Sequence, residues 1–509
     1  MKYSQQEIIQ YVQEEDVKFI RLAFCDVFGK QKNISIMPDE LQRAFSYGIA
    51  IDASAIDGFG DETHSDLFLH PEPDTLMPLP WRPEEGSVVR MFCHITHQDG
   101  TPFEYDSRAL LEKAIKAASE EGLQFSFGTE QEFYLFRSDD FGEPTMIPYD
   151  HAGYMDIAPE DKGENIRREI CLTLEQMGIH PESSHHEQGP GQNEIDFRYS
   201  DPMTAADNAL TFQTVVKAVA LRNGLCADFS PKPLRDQPGN GFHINISVKS
   251  DREFNYMDAV IAGILDKISE MTLFLNPLEN SYERFGQNKA PLYISWSKEN
   301  RSQLVRVPAA LGEYQRVELR SPDPSTNTYL AFALIIYAVL DGIRNKTELP
   351  APADINLYRA DKYPNIECVH RKIRCLHLPM CDQPSSEYQR YQIHHPLKEQ
   401  VAAHKASHTF IIGILRTQKS LVAFSELLPF NLFICKGLYN TDPGQCILKT
   451  RINIPDLTPV VHECRLHLLI LPVREEQHEH YQNQKWYCQS PVDQKQEYER
   501  TDNFDQRNK

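Results

Sequence analysis

The sequence predicts an α+β fold built from a small N-terminal unit and a larger second one. Three observations carry this. Residues 17–37 read as a strand, a turn and a strand, and a helical pattern follows them. Beyond residue 105, amphipathic helical stretches alternate with strands whose polar residues recur at every second position. The 509 residues exceed what one compact core accommodates, so two or three domains are expected.

The elements follow in order. Ile8, Ile9, Tyr11 and Val12 have helical spacing, which predicts a short helix over residues 5–14. Residues 17–25 and 31–37 form a hairpin around Asp26-Val27-Phe28-Gly29-Lys30, and a helix over 38–46 comes next. Residues 48–59 set small side chains around Asp52, a loop able to approach a ligand; taken alone it fits a plain surface loop equally well. Prolines 78, 80 and 83 mark a strap. The first domain is expected to end near residue 104. Asp106 or Ser107 caps a helix carrying Leu110, Leu111, Ala114 and Ile115, which opens a second domain over 105–358. Further helices are predicted over 165–177, 205–221, 254–275 and 329–343, the last apolar enough to require burial.

Net charge and composition narrow the function. Lys and Arg number 52 against 73 Asp and Glu, a net charge of −21, which argues against a nucleic-acid or anionic-membrane partner and suits a protein that loads cations. No run of eighteen apolar residues predicts a membrane span, and the first residues lack the apolar stretch of a signal peptide, so a cytoplasmic location is expected. Of 11 cysteines only Cys25, Cys93, Cys171 and Cys226 precede residue 360, without Cys-x-x-Cys spacing, so no disulfide framework is expected there.

The chemistry lies in the strands. In Gly128-Thr129-Glu130-Gln131-Glu132-Phe133, Glu130 and Glu132 share one face because side chains two apart on a strand point the same way. Two such carboxylates repel unless a cation or a proton neutralises them. Alone, the pair fits an exposed acidic edge as well as a site. The same parity recurs downstream. Glu187 and Glu194 flank the turn Gly189-Pro190-Gly191; His243, Asn245 and Ser247 share a face; so do Arg316, Glu318 and Arg320. His185 and His186 raise a zinc alternative, but no His or Cys partner stands at metal spacing nearby. A salt-bridge ladder remains the alternative for residues 316–320. Glu130, Glu132, Glu187, Glu194, His243 and Glu318 together suit Mg²⁺ or Mn²⁺, in two or more copies. Arg284, Arg301, Arg306, Arg316 and Arg320 add what a phosphorylated substrate requires. No Walker-type glycine loop is present, so a nucleotide would be held by metals and arginines.

These motifs together resemble the glutamine synthetase family, of the bacterial type I kind, over roughly residues 15–355. The carriers are Asp52 with Ser54, Glu130-Gln131-Glu132-Phe133, His185-His186-Glu187, Gly191-Gln192-Asn193-Glu194 and Gly241-Phe242-His243. Asn280-Ser281-Tyr282 with Arg284, Asn300-Arg301-Ser302, and residues 316–324 complete the set. The resemblance implies an N-terminal β-grasp domain and a catalytic domain with a curved antiparallel sheet flanked by helices. It implies a homo-oligomer of stacked hexameric rings, and ATP-dependent joining of ammonia to the γ-carboxylate of glutamate through γ-glutamyl phosphate. Two or three Mg²⁺ or Mn²⁺ ions per site are implied. Glu132, Glu187 and Glu194 would hold one metal, and Glu130, His243 and Glu318 another. Gly239, Arg284 and Arg320 would bind glutamate; Asn245, Ser247, Arg301, Arg306 and Arg316 would bind ATP and its phosphates. Asp52 would reach in from the next subunit to deprotonate ammonium, with Arg284, Arg301 and Arg320 completing the catalytic set.

Two departures stand out. The family's loop glutamate before Ala-Pro is Lys289 here, a charge that repels ammonium, so a primary amine is the alternative nucleophile. Residues 359–509 lose the family pattern and collect seven cysteines and many histidines. A segment out of family frame and poorly ordered is the expectation, with 409–415 and 466–472 as aggregation-prone runs; a Cys/His zinc module is the alternative. An inactive or truncated homologue is the third reading.

Overall fold

A computed structural model describes residues 3–60, 63, 65–81, 86–250, 256–310, 312–358 and 368–369. The readings made for the tail, including its cysteine module and its apolar runs, lie outside the described residues.

The chain begins with helix α1 (Gln5–Glu14), closed by a capping box between Ser4 and Glu7. Strands β1 (Phe19–Cys25) and β2 (Gln31–Ile36) pair antiparallel as the expected hairpin. Helix α2 (Leu41–Tyr47) follows a 3₁₀ turn over Pro38–Glu40. Strands β3 (Ile49–Asp52), β4 (Asp66–Pro71), β5 (Met77–Pro78) and β6 (Val88–Thr96) complete a first sheet, ordered β2-β1-β6-β4-β3, with β5 against β6. Only β1 and β6 pair parallel within it.

Helix α3 (Ser107–Glu120) starts at Asp106, whose side chain accepts hydrogen bonds from the Arg108 and Ala109 amides. Strand β7 (Leu123–Ser138) is the sixteen-residue spine of a second sheet. Around it come β8 (Pro144–Pro148), α4 (Glu164–Gln176), β9 (Pro181–His186) and β10 (Gln192–Phe197). Helix α5 (Pro202–Arg222), strand β11 (Leu225–Asp228), strand β12 (Phe242–Ser250) and helix α6 (Tyr256–Leu275) follow. The chain then runs through β13 (Trp296–Lys298), β14 (Val305–Val307) and β15 (Val317–Leu319) into α7 (Thr328–Asn345). The sheet order is β13-β14-β15-β12-β7-β10-β9, with β8 and β11 also on β7. Every pair is antiparallel except β13 with β14, an addition to the antiparallel sheet expected from sequence.

Alternation along β7 decides which way its residues face. Phe125, Phe127, Thr129, Gln131, Phe133 and Leu135 are buried towards the helices, while Glu130 and Glu132 are half-buried on the opposite face. The helix side is a continuous core in which Phe127 stacks on Phe332 of α7 at 4.2 Å. That core also takes in Ala23, Cys25, Leu79 and Phe92 from the first sheet. At the same junction Arg108 forms two hydrogen bonds of 3.2 Å to Asp207, which also accepts one from Tyr329 at 2.6 Å. Helix α7 is long and apolar enough to cross a membrane, yet most of its side chains are buried against the protein, as expected of a core helix. Cys25, Cys93, Cys171 and Cys226 are free thiols.

Helices α6 and α7 cross at backbone contact. A Cβ on Gly263 would lie 2.4 Å from the Ala338 carbonyl oxygen, and one on Gly342 would lie 2.8 Å from Gly263 Cα. Gly263→Val is therefore expected to lower the unfolding free energy by about 1–3 kcal/mol through overpacking. Urea denaturation checks this; unchanged stability would show that the helices separate freely.

Candidate active site

Register builds the site. Antiparallel pairing sets Asp196 of β10 opposite Glu130 of β7, and Glu130 opposite His243 of β12. Residues directly opposite share a face, so these three form one row across the sheet. A second row runs from His185 to Glu194 to Glu132. A third joins Asn245 to Glu318 and Glu318 to Arg306. The rows floor an open cleft of ≈ 280 Å³.

Most of the residues singled out from the sequence line this cleft. Glu130, Glu132, Glu187, Glu194 and His243 form its acidic side. Gly239, Arg284, Arg301, Arg306, Arg316 and Arg320 complete it. Glu318 lies beneath, 1% exposed, where Arg306 Nη1 donates to it at 2.6 Å and Arg320 Nη1 donates to its other oxygen. Asn245 sits behind Glu130, donating to it at 2.8 Å and accepting from Arg316 Nε at 2.8 Å. Two residues are not brought to the cleft. Ser247 Oγ donates to the Gln315 carbonyl at 3.3 Å. Asp52 ends β3 in the first sheet, exposed, accepting from the Ser54 amide at 3.0 Å and the Ser54 hydroxyl at 2.6 Å.

The ligand atoms of Glu130, His243 and Glu318 all lie within 4.8 Å of one another, as do those of His185, Glu187 and Glu194. His185 thus joins the second acidic group, although the sequence offered it only for zinc. Glu132 Oε2 instead accepts from the Gly241 amide at 2.6 Å and from Gln192 Nε2 at 3.2 Å. Glu130, Glu194 and Asp196 form a further group within 4.8 Å. Asp196 was missed by the sequence reading. It stands two residues after Glu194, so the parity that paired Glu130 with Glu132 would have found it. Tyr154 was missed as well; it sits on an irregular segment that carries no periodic signal.

The turn between β9 and β10 is held from behind. His186 is fully buried, with Nε2 2.8 Å from Asp150 Oδ1 and Nδ1 2.6 Å from the Glu187 carbonyl. Asp150 also accepts the Gly191 amide at 3.0 Å, so one carboxylate ties both arms of the turn. Arg167 donates to Asn193 at 2.6 Å and pairs with Asp161. These bonds fix where Glu187 and Glu194 stand.

The two sides of the cleft differ in charge balance. Burial pushes Glu130 up, but His243, Asn245 and Arg320 outweigh it and bring it down to about 2. On the β10 side burial and neighbouring carboxylates outweigh the compensation from Lys289, the Gln188 amide and Ser183. Burial, then the charge of Glu132, pushes Glu187 up to about 7. Burial, then Asp196, pushes Glu194 well above the carboxylate range. Burial, then Glu130, pushes Asp196 up to about 8. Arginines line the same cleft: Arg284, Arg301, Arg306, Arg316 and Arg320. Acids held above their usual range beside arginines fit divalent cations together with an anionic ligand.

Comparison with known proteins agrees with this geometry. A family model described as "Glutamine synthetase, catalytic domain" matches residues 104–374, and one described as "Glutamine synthetase, beta-Grasp domain" matches residues 16–98. The chain belongs to the glutamine synthetase family. Its relatives include a glutamine synthetase of Clostridium saccharobutylicum, 45% identical over 370 residues, which span 70% of this chain and 84% of that protein. One of Staphylococcus aureus is 42% identical over 374 residues, 71% of this chain and 84% of that protein. Among solved structures, one described as "GmaS/ADP complex-Conformation 1" aligns with a TM-score of 0.65 at 27% identity, covering 71% of this chain and 86% of that one. A cryo-EM structure of Plasmodium falciparum glutamine synthetase, at 23% identity and a TM-score of 0.64, covers 70% of this chain and 79% of that one and supports the fold. The β-grasp unit and the curved sheet flanked by helices expected from the motifs are thus the family's fold.

Raised carboxyls make the metal-free protein sensitive to pH. Their unfolded counterparts titrate near 4. Stability from keeping Glu187 and Asp196 protonated is therefore present at low pH and lost as pH rises through about 7 and about 8. EDTA-treated protein is expected to melt lower at about pH 9 than at about pH 6, with excess Mg²⁺ closing the gap. A melting temperature that ignores both pH and Mg²⁺ would contradict this electrostatic account.

Proposed function

We propose that the chain is a glutamate–ammonia ligase that couples ATP cleavage to amide formation. The observation that carries this is one cleft lined by a cluster of carboxylates, two of them raised to about 7 and about 8, together with Arg284, Arg301, Arg306, Arg316 and Arg320. Membership of the glutamine synthetase family supplies the substrates: glutamate, ATP and ammonium.

In this reading Glu130, His243 and Glu318 would hold one divalent ion, and Glu132, Glu187 and Glu194 another, either Mg²⁺ or Mn²⁺. Such ions, when bound, neutralise the nucleotide phosphates and fix them for transfer. Arg301, Arg306 and Arg316 would pair with phosphate oxygens, and Asn245, behind Glu130, holds the Arg316 side chain for this. Arg284 is anchored on Asn276, on the Ser321 and Pro322 carbonyls and beside Asp323, which fixes its fork for a carboxylate of glutamate. Gly239 lets the substrate approach, since a Cβ there would meet Arg284 Cγ at 2.6 Å. Arg320, which pairs with Glu318, would grip the second carboxylate. A γ-carboxylate oxygen attacks the terminal phosphorus of ATP and ADP leaves. Ammonium first gives up a proton; the ammonia nitrogen so freed then attacks the acyl carbon, phosphate leaves, and the amide nitrogen sheds a second proton to the departing phosphate.

Asp52 takes the first of these protons, from ammonium, in a neighbouring subunit's cleft. Its exposure on an edge strand of the first sheet, away from its own chain's cleft, supports a homo-oligomer, proposed as stacked hexameric rings. The free thiols support a reducing, cytoplasmic setting. A second reading, ligation of glutamate to an organic amine, is favoured by one observation: Lys289 sets a positive charge in the cleft wall.

Phosphate release from ATP, with glutamate and Mg²⁺, is expected to rise with ammonium, and His243→Gln is expected to lower kcat by about a hundredfold. Stimulation by primary amines but not by ammonium would select the second reading. Silence with every amine, from soluble oligomeric protein, would sink both and leave an inactive homologue.

A further inference from the structure

The loop over residues 286–290 closes on itself. The Gly286 amide donates to the Ala290 carbonyl at 2.9 Å, and the Ala290 amide donates to the Gln287 carbonyl at 2.8 Å. Asn288 and Lys289, at its tip, both adopt positive φ, 43° and 68°. Left-handed backbone costs a non-glycine residue roughly 1 kcal/mol or more, so contacts at the tip must hold it. Lys289 supplies them at both ends. Its carbonyl accepts from Arg320 Nη2 at 3.5 Å. Its ammonium lies 4.6 Å from the centre of the Tyr154 ring.

Tyr154 comes from the segment between β8 and α4, and its ring meets His185 edge-on at 5.3 Å. Tyr154, Lys289 and Glu187 line the same cleft. An aromatic face beside a carboxylate is a binding niche for an ammonium group. Here the chain fills the niche with its own ammonium group.

We propose that Lys289 is a specificity-determining residue, a tethered competitor that holds the Tyr154–Glu187 niche against free ammonium ion and so favours acceptors that arrive uncharged. A tethered cation acts at an effective concentration of millimolar or above. Ammonium ion has to displace it. An uncharged nucleophile does not need the niche. This rests on the ligase reading above.

The test uses the full chain and two nucleophiles. Ammonia is almost wholly cationic at neutral pH, whereas hydroxylamine is uncharged and captures an acyl phosphate as a hydroxamate. The readout is the ratio of the ammonium KM to the hydroxylamine KM. Lys289→Met keeps the apolar stem and asks no more of the backbone than lysine does; it is expected to lower the ratio about tenfold. Lys289→Arg keeps the cation and is expected to hold the ratio near the wild-type value. A ratio within about twofold of wild type in Lys289→Met, or a fall as large in Lys289→Arg, would overturn the proposal. If wild-type protein forms no hydroxamate from ATP, glutamate and Mg²⁺, the ligase reading itself fails, and this inference with it.

Discussion

Repulsion between carboxylates on one sheet face is the constraint on which the rest of this structure depends. Strand register sets Glu130 beside Asp196 and Glu132 beside Glu194, and the tight β9–β10 turn delivers Glu187 to the same face. Left alone in a half-buried cleft, these groups would push the strands apart or hold protons. The protein spends much of its polar structure on resisting this. Asp150 and His186 lock the turn from behind, and backbone amides of Gly241 and Gln188 donate to Glu132 and Glu187. Beneath the sheet, the aromatic core of β7 and α7 supplies the rigidity against which those bonds work.

Compensation is uneven, and the unevenness gives the cleft its direction. At β14 and β15 Glu318 has two arginines, and Glu130 has His243 and Asn245. At β10, Glu194 has His185 Nε2 at 3.4 Å but Asp196 and Glu132 as like-charged neighbours, and one buried oxygen of Asp196 has no donor. Cations are therefore wanted on one side and an anion on the other. A metal–nucleotide complex beside an amino-acid carboxylate satisfies both demands at once, which is why the geometry and the family point to the same chemistry.

Much of this was legible in the sequence, because a strand's period of two is a strong signal. Glu130 with Glu132, and Arg316 with Glu318 and Arg320, could be placed on faces by counting. Pairing across strands could not. Nothing in the chain before folding states that His243 meets Glu130, or that Arg306 meets Glu318; register settles that. Asp196 is legible by the same count, since it stands two residues beyond Glu194 on one strand. Tyr154 lies on irregular chain, where no period points inward, and only the folded position of Lys289 gives it meaning. The apolar helix near the end of the second unit was plain from composition, but its contact with α6 through Gly263 was not.

The central claim is that this acidic face is a cation site and not an ion-pair ladder. Calorimetric titration of metal-free full-length protein with Mn²⁺, repeated in buffers of different ionisation heat, tests it most directly. The account predicts two or more ions bound per chain, with protons released because Glu187, Glu194 and Asp196 hold them before the metal arrives. Saturation by fewer than two ions, or binding without proton release, would contradict it.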